Sequence, residues 1–85
     1  NNLSEVIEST VMGKSKTIFI TMGDDRWGHY DEDEHEVHLT DKPSNGDVDL
    51  LNWLAVKGLA TGSNVYILPR EEMPMKSTVA AEFRF

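Results

Sequence analysis

Between Gly23 and Pro43 the chain reads "GDDRWGHYDEDEHEVHLTDKP", with acids at Asp24, Asp25, Asp31, Glu32, Asp33, Glu34, Glu36 and Asp41 and imidazoles at His29, His35 and His38. Side chains of these types hold divalent cations, exchange protons with a substrate, or offer negative charge to a basic partner. Spacing separates the options. An EF-hand loop begun at Asp31 finds Asp33 in its third position and His35 in its fifth. It then meets Glu36 where glycine is needed and Lys42 where glutamate is needed. The run "HEVH" is one residue short of the H-E-x-x-H zinc helix. On a strand His35 and His38 point to opposite faces, whereas Asp31, Asp33 and His35 share one. A small divalent-metal-binding module built on those three is therefore the metal reading that remains. For catalysis there is no G-x-S-x-G elbow, no cysteine nucleophile and no phosphate-cradling glycine loop. So short a chain has little volume for a deep pocket. The expectation is a protein that is not an enzyme and carries no cofactor.

Charge points elsewhere. The formal net charge is -7. From Asp24 to Asp49 seven Asp and three Glu face only Arg26 and Lys42, a local net of -8, and the rest of the chain is close to neutral. A nucleic-acid binder would carry a basic footprint, and an anionic membrane would repel this charge. A basic protein partner is favoured. The plain alternative is a solvated acidic loop. The functional one is a strand whose carboxylates, repeating roughly every 6 to 7 Å on one face, mimic the phosphates that a protein groove normally grips.

The elements that must position these acids follow from periodicity. "NNLSEVIESTVMGK" predicts a helix with Leu3, Val6, Ile7 and Val11 on one face, Asn2 as cap and Gly13 as stop. "KTIFITM" predicts a central strand. "GDDRWGHY" reads as a loop or bulge with Trp27 either an exposed interface anchor or folded back to cover the sheet, and Glu34 to Thr40 as a strand with its apolar end inward. "DVDLLNWLAVKGLATG" predicts a second helix capped by Asp47, burying Leu50, Leu51, Trp53 and Leu54 and ending at Gly58. "NVYILP" and "TVAAEFRF" predict two further strands. The expected fold is a single small α+β domain over residues 1–85, in the order α-β-β-α-β-β. Its sheet is mostly antiparallel and carries two helices. The chain has no cysteine, so packing alone holds it. Its apolar runs are too short to span a membrane, and no signal-peptide pattern opens it.

Two stretches resemble a known family. "NLSEVIE" followed by "GK", from Asn2 to Lys14, is similar to the opening of the phage uracil-DNA glycosylase inhibitors, and "NVYILPREEMP", from Asn64 to Pro74, looks like that family's Asn-Val strand and the acidic, proline-containing turn after it. The resemblance implies a DNA mimic whose acidic strand edge enters the DNA groove of uracil-DNA glycosylase. It also implies a hydrophobic cavity between sheet and second helix that traps an inserted leucine, with action in the cytoplasm of a host bacterial cell. The family's key carboxylate lies in a Gln-Glu-Ser stretch soon after Gly-Lys. This chain has "KTIFITMGDD" there, so no single groove-facing residue is transferred. The expected partner-binding set is Asp24, Asp25, Trp27, Asp31, Glu32, Asp33, Glu34, Glu36 and Met75. The expected cavity lining is Met22, Trp53, Leu54, Val65 and Ile67. An inhibitor of a CRISPR effector or a restriction enzyme, built on the same logic, is the alternative target class.

Overall fold

The computed structural model describes residues 2–41, 46–74 and 77–84. Helix α1 covers Leu3–Val11. The Asn2 side chain accepts a 2.8 Å bond from the Ser4 amide and caps it, as its sequence promised. Gly13, at φ 74°, ends the helix in a Schellman turn: its amide donates to the Thr10 carbonyl and the Lys14 amide to the Ser9 carbonyl. Strand β1, Ser15–Thr21, follows. Ile18 and Ile20 on one of its faces are buried, and so are Thr17 and Thr21 on the other, which fits a central strand.

The next segment differs from the expectation. Strands β2 (Trp27–Asp31) and β3 (Glu36–Thr40) form an antiparallel hairpin, and the short β4 (Val48–Asp49) pairs with the other edge of β2. Residues 27–30, expected in a loop or bulge, thus belong to a central strand. Gly28 permits this, because a Cβ there would overlap the His38 carbonyl oxygen on the neighbouring strand. The glycine that read as a breaker is what lets the strands close. Helix α2 spans Leu50–Ala60, β5 spans Asn64–Leu68, a short 3₁₀ turn spans Arg70–Glu72, and β6 spans Val79–Phe83. The observed order is α-β-β-β-β-α-β-β.

The fold is α+β, but with two three-stranded sheets where one was expected. The first has the order β5-β1-β6, with β1 parallel to β5 and antiparallel to β6, and the second has the order β3-β2-β4 and is antiparallel throughout. The two helices contact each other and both sheets. A shared core fills the space between them: Val6 and Ile7 from α1, Ile18 and Ile20 from β1, Leu50, Leu51 and Leu54 from α2, and Val79 from β6.

Two details of α2 also differ from the expectation. Its cap is Asp49, whose carboxylate accepts from the Leu51 amide at 3.1 Å and from the Arg26 amide at 3.2 Å. Asp47 instead accepts a 2.8 Å bond from the Thr40 hydroxyl and lies 3.2 Å from His29 Nδ1. Nor does Gly58 end the helix. It is buried inside it, where a Cβ would come within 2.7 Å of Ile18 Cδ1, so the missing side chain lets α2 sit close on β1. The stop is Gly62, at φ 87°, in a second Schellman turn with the Gly62 and Ser63 amides donating to the Leu59 and Gly58 carbonyls.

Candidate functional site

The acids do not form one row. Asp31 ends β2, Glu36 begins β3, and residues 32–35 between them are the turn of the hairpin. The expected strand from Glu34, with Asp31, Asp33, His35, Val37 and Leu39 on one face, is therefore corrected. The physical reason is local. The Asp31 carboxylate accepts from the Asp33 amide at 2.9 Å and from the Glu34 amide at 3.1 Å, an Asx turn that reverses the chain. His35 completes the turn at φ 57°, a conformation more usual for Gly or Asn. Leu39, expected to point inward, is 55% exposed, because the core on this face ends at Val37.

The result is an acidic hairpin tip rather than a ladder. Asp31, Glu32, Asp33, Glu34 and Glu36 crowd into six residues, and all but Asp31 are exposed. Among the described residues no Lys or Arg forms an ion pair with any of them; Glu36 has only His38, at 3.8 Å. Asp24 belongs to a different environment. It lies 2.5 Å from Arg70 and 3.7 Å from Arg26, so its charge is largely answered within the molecule. Asp25 is exposed and its backbone carbonyl accepts a 2.6 Å bond from the Arg26 guanidinium. The expected set thus divides into five hairpin acids, an internally paired Asp24 and a separate Asp25. Met75 lies outside the described residues.

Trp27 is half-buried on β2 opposite Thr40 and Asp49, not displayed on a loop. Strand alternation puts it on the same face as His29, whose ring stacks on that of His38 with centroids 4.9 Å apart. On the opposite face Tyr30 stacks on Trp53 of α2 at 5.7 Å, tying the hairpin to the helix. Asp31, Asp33 and His35 do not converge: no three His, Asp or Glu side chains among the described residues are placed to hold a metal ion.

The five residues expected around one cavity are dispersed. Leu54 is sealed in the core, Trp53 and Val65 pack half-buried against it, and Met22 and Ile67 are 58% and 53% exposed. Ile67 does line a shallow cavity of about 150 Å³ together with Thr21, Asp24, Leu51 and Asn52. A larger one, about 380 Å³, opens between α1 and the hairpin and is lined by Glu8, Met12, Tyr30 and His35. The sequence reading missed this one. Its walls come from elements that meet only in the fold, and no spacing along the chain signals it.

No protein-family model matches this chain, and no curated protein matches it. Among the described residues no helix is long and apolar enough to cross a membrane.

Proposed function

We propose that this protein is an acidic inhibitor that occupies the basic DNA-binding groove of an enzyme, with uracil-DNA glycosylase as the first target to test. One observation carries the reading: five carboxylates are concentrated on a hairpin tip closed by the Asp31 turn, with no Lys or Arg pairing to any of them among the described residues. Self-repulsion on that scale costs stability, and a basic groove supplies the missing counter-charge. The tip enters the groove, and Lys and Arg side chains there pair with Glu32, Asp33, Glu34 and Glu36 in place of phosphates. No bond is made or broken, no cofactor takes part, and the setting is the cytoplasm of a phage-infected bacterium. The similarity of Asn2–Lys14 and Asn64–Pro74 to the phage glycosylase inhibitors supports the choice of target. The hairpin lies outside both of those segments, and the same charge logic extends to a CRISPR effector or restriction enzyme as the second target class.

The test is a uracil-excision assay with the protein added in stoichiometric amounts. Excision should stop, and joint replacement of Glu32, Glu34 and Glu36 by Gln should weaken inhibition roughly 10- to 100-fold, taking about half to one kcal/mol for each lost charge pair. Undiminished excision by glycosylases from several sources would remove that target. A capture experiment in which the triple variant retains the same basic partner as wild type would remove the acidic tip as the binding surface.

A further inference from the structure

The cavity between α1 and the hairpin has a composition that selects its occupant. Met12 contributes a thioether and is 65% exposed, so it forms an accessible rim. Tyr30 contributes an aromatic ring whose hydroxyl lies 3.4 Å from His35 Nδ1, and Trp53 supports that ring from behind. Glu8, on α1, contributes a carboxylate with no ion pair among the described residues. Two of the four lining residues, Tyr30 and His35, belong to the hairpin whose tip holds Asp31, Glu32, Asp33, Glu34 and Glu36. The negative field of those acids disfavours any anion in the opening and concentrates cations there.

An apolar-walled space with one carboxylate and one aromatic ring fits a cation on an apolar stem. Arginine fits better than lysine. Its guanidinium is planar and weakly hydrated, it stacks on aromatic faces, and it binds a carboxylate through two parallel hydrogen bonds. We propose that this cavity takes an arginine side chain of the basic partner. Its stem lies along Met12, its guanidinium rests against Tyr30 and its N–H groups donate to Glu8. The partner in that statement rests on the inhibitor reading above. The cavity would be the specific anchor, and the tip acids the less specific electrostatic surround.

The experiment titrates the 85-residue chain, with its Met methyl groups labelled for NMR, with N-acetyl-arginine amide. The uncharged isostere N-acetyl-citrulline amide and N-acetyl-lysine amide serve as comparisons. Saturable shifts at the Met12 methyl and the Tyr30 ring are expected with arginine, with binding weaker by roughly tenfold for citrulline and intermediate for lysine. Glu8→Gln, which keeps the Met12 reporter, should weaken arginine binding roughly tenfold. Met12→Lys, which sets an ammonium at the rim, should abolish it as seen at Tyr30. Shifts that are unsaturable, or equal for arginine and citrulline, or unchanged by Glu8→Gln, overturn the proposal. The glycosylase assay keeps the two ideas apart. Saturable arginine binding that Glu8→Gln weakens supports the cavity even if no glycosylase is inhibited. A flat titration overturns it even if inhibition is complete and depends on the tip acids.

Discussion

Gly28→Ala tests the reason the hairpin exists. Gly28 is buried at the centre of the second sheet, paired with Leu39 on one side and Val48 on the other. A Cβ placed there overlaps the His38 carbonyl oxygen and lies 3.0 Å from Leu50 Cδ1. The leucine methyl can yield, but the carbonyl belongs to a hydrogen-bonded strand and cannot rotate away. Overpacking against mobile side chains costs about 1–3 kcal/mol, and a fixed backbone obstacle belongs at the upper end of that range. The φ of 155° adds about 1–3 kcal/mol for a residue other than glycine. The expected loss is therefore roughly 3–5 kcal/mol, against a total stability of about 4–13 kcal/mol for a domain of this length. In a thermal melt the midpoint should fall by at least about 12 °C. Urea denaturation followed by tryptophan fluorescence measures the loss directly, with Trp27 reporting from the same strand. Gly23→Ala is the control. Gly23 has φ 80° and open space around the added Cβ, so its cost is that of backbone conformation alone, about 1–2 kcal/mol. A Gly28→Ala protein within about 1 kcal/mol of wild type, or no worse than Gly23→Ala, would refute the close approach as the cause of the strand.

Thr10→Val should cost about 1–3 kcal/mol in urea denaturation. It removes the partner of the Ser15 hydroxyl, 3.0 Å away in a buried pair, and Thr10→Val with Ser15→Ala should cost less than the two changes added. Asp49→Ala should cost about 1–2 kcal/mol and lower α2 protection in hydrogen exchange, since one carboxylate serves the Leu51 and Arg26 amides. His35→Val should cost about 1–2 kcal/mol, because a β-branched residue is poorly tolerated at φ 57°. Raising NaCl from about 0.05 to 0.5 M should raise the melting temperature of the free protein while weakening its complex with a basic partner. A rise in both would count against the electrostatic reading.

The parts of the fold legible in the sequence were those set by local chemistry. The Asn2 cap, the Gly13 stop, the apolar face of α1, the central character of β1 and the Leu50, Leu51 and Leu54 core face of α2 all follow from residues within a few positions of one another. Three of the errors had non-local causes and one a local cause. Gly28 reads as a breaker until the His38 carbonyl arrives across the sheet. Gly58 reads as a stop until β1 is packed against it. Asp47 and Asp49 are both good caps, and the choice between them is made by Thr40 and His29, which occupy Asp47. The acidic run had a period of two along its length and so read as a strand. Its turn carries no glycine: an aspartate side chain and a left-handed histidine bend the chain instead.

That turn changes what the acids can do. On a straight strand, carboxylates alternate between two faces, so only half of them can meet one groove. On a hairpin tip, Glu32, Asp33 and Glu34 stand together at one end of a two-stranded ribbon and can enter a groove as a group. The cost is mutual repulsion, which the tip cannot relieve by spreading because Asp31 is committed to the turn amides. Stability is supplied instead by contacts that carry no charge: the Tyr30–Trp53 stack, the Gly28 approach to β3, and Val37 against the core. Five acids held close together on apolar supports, with no Lys or Arg paired to them among the described residues, form a surface whose free energy improves most when an external cation is brought to it. In the inhibitor reading, repulsion that weakens the isolated fold becomes affinity in the complex.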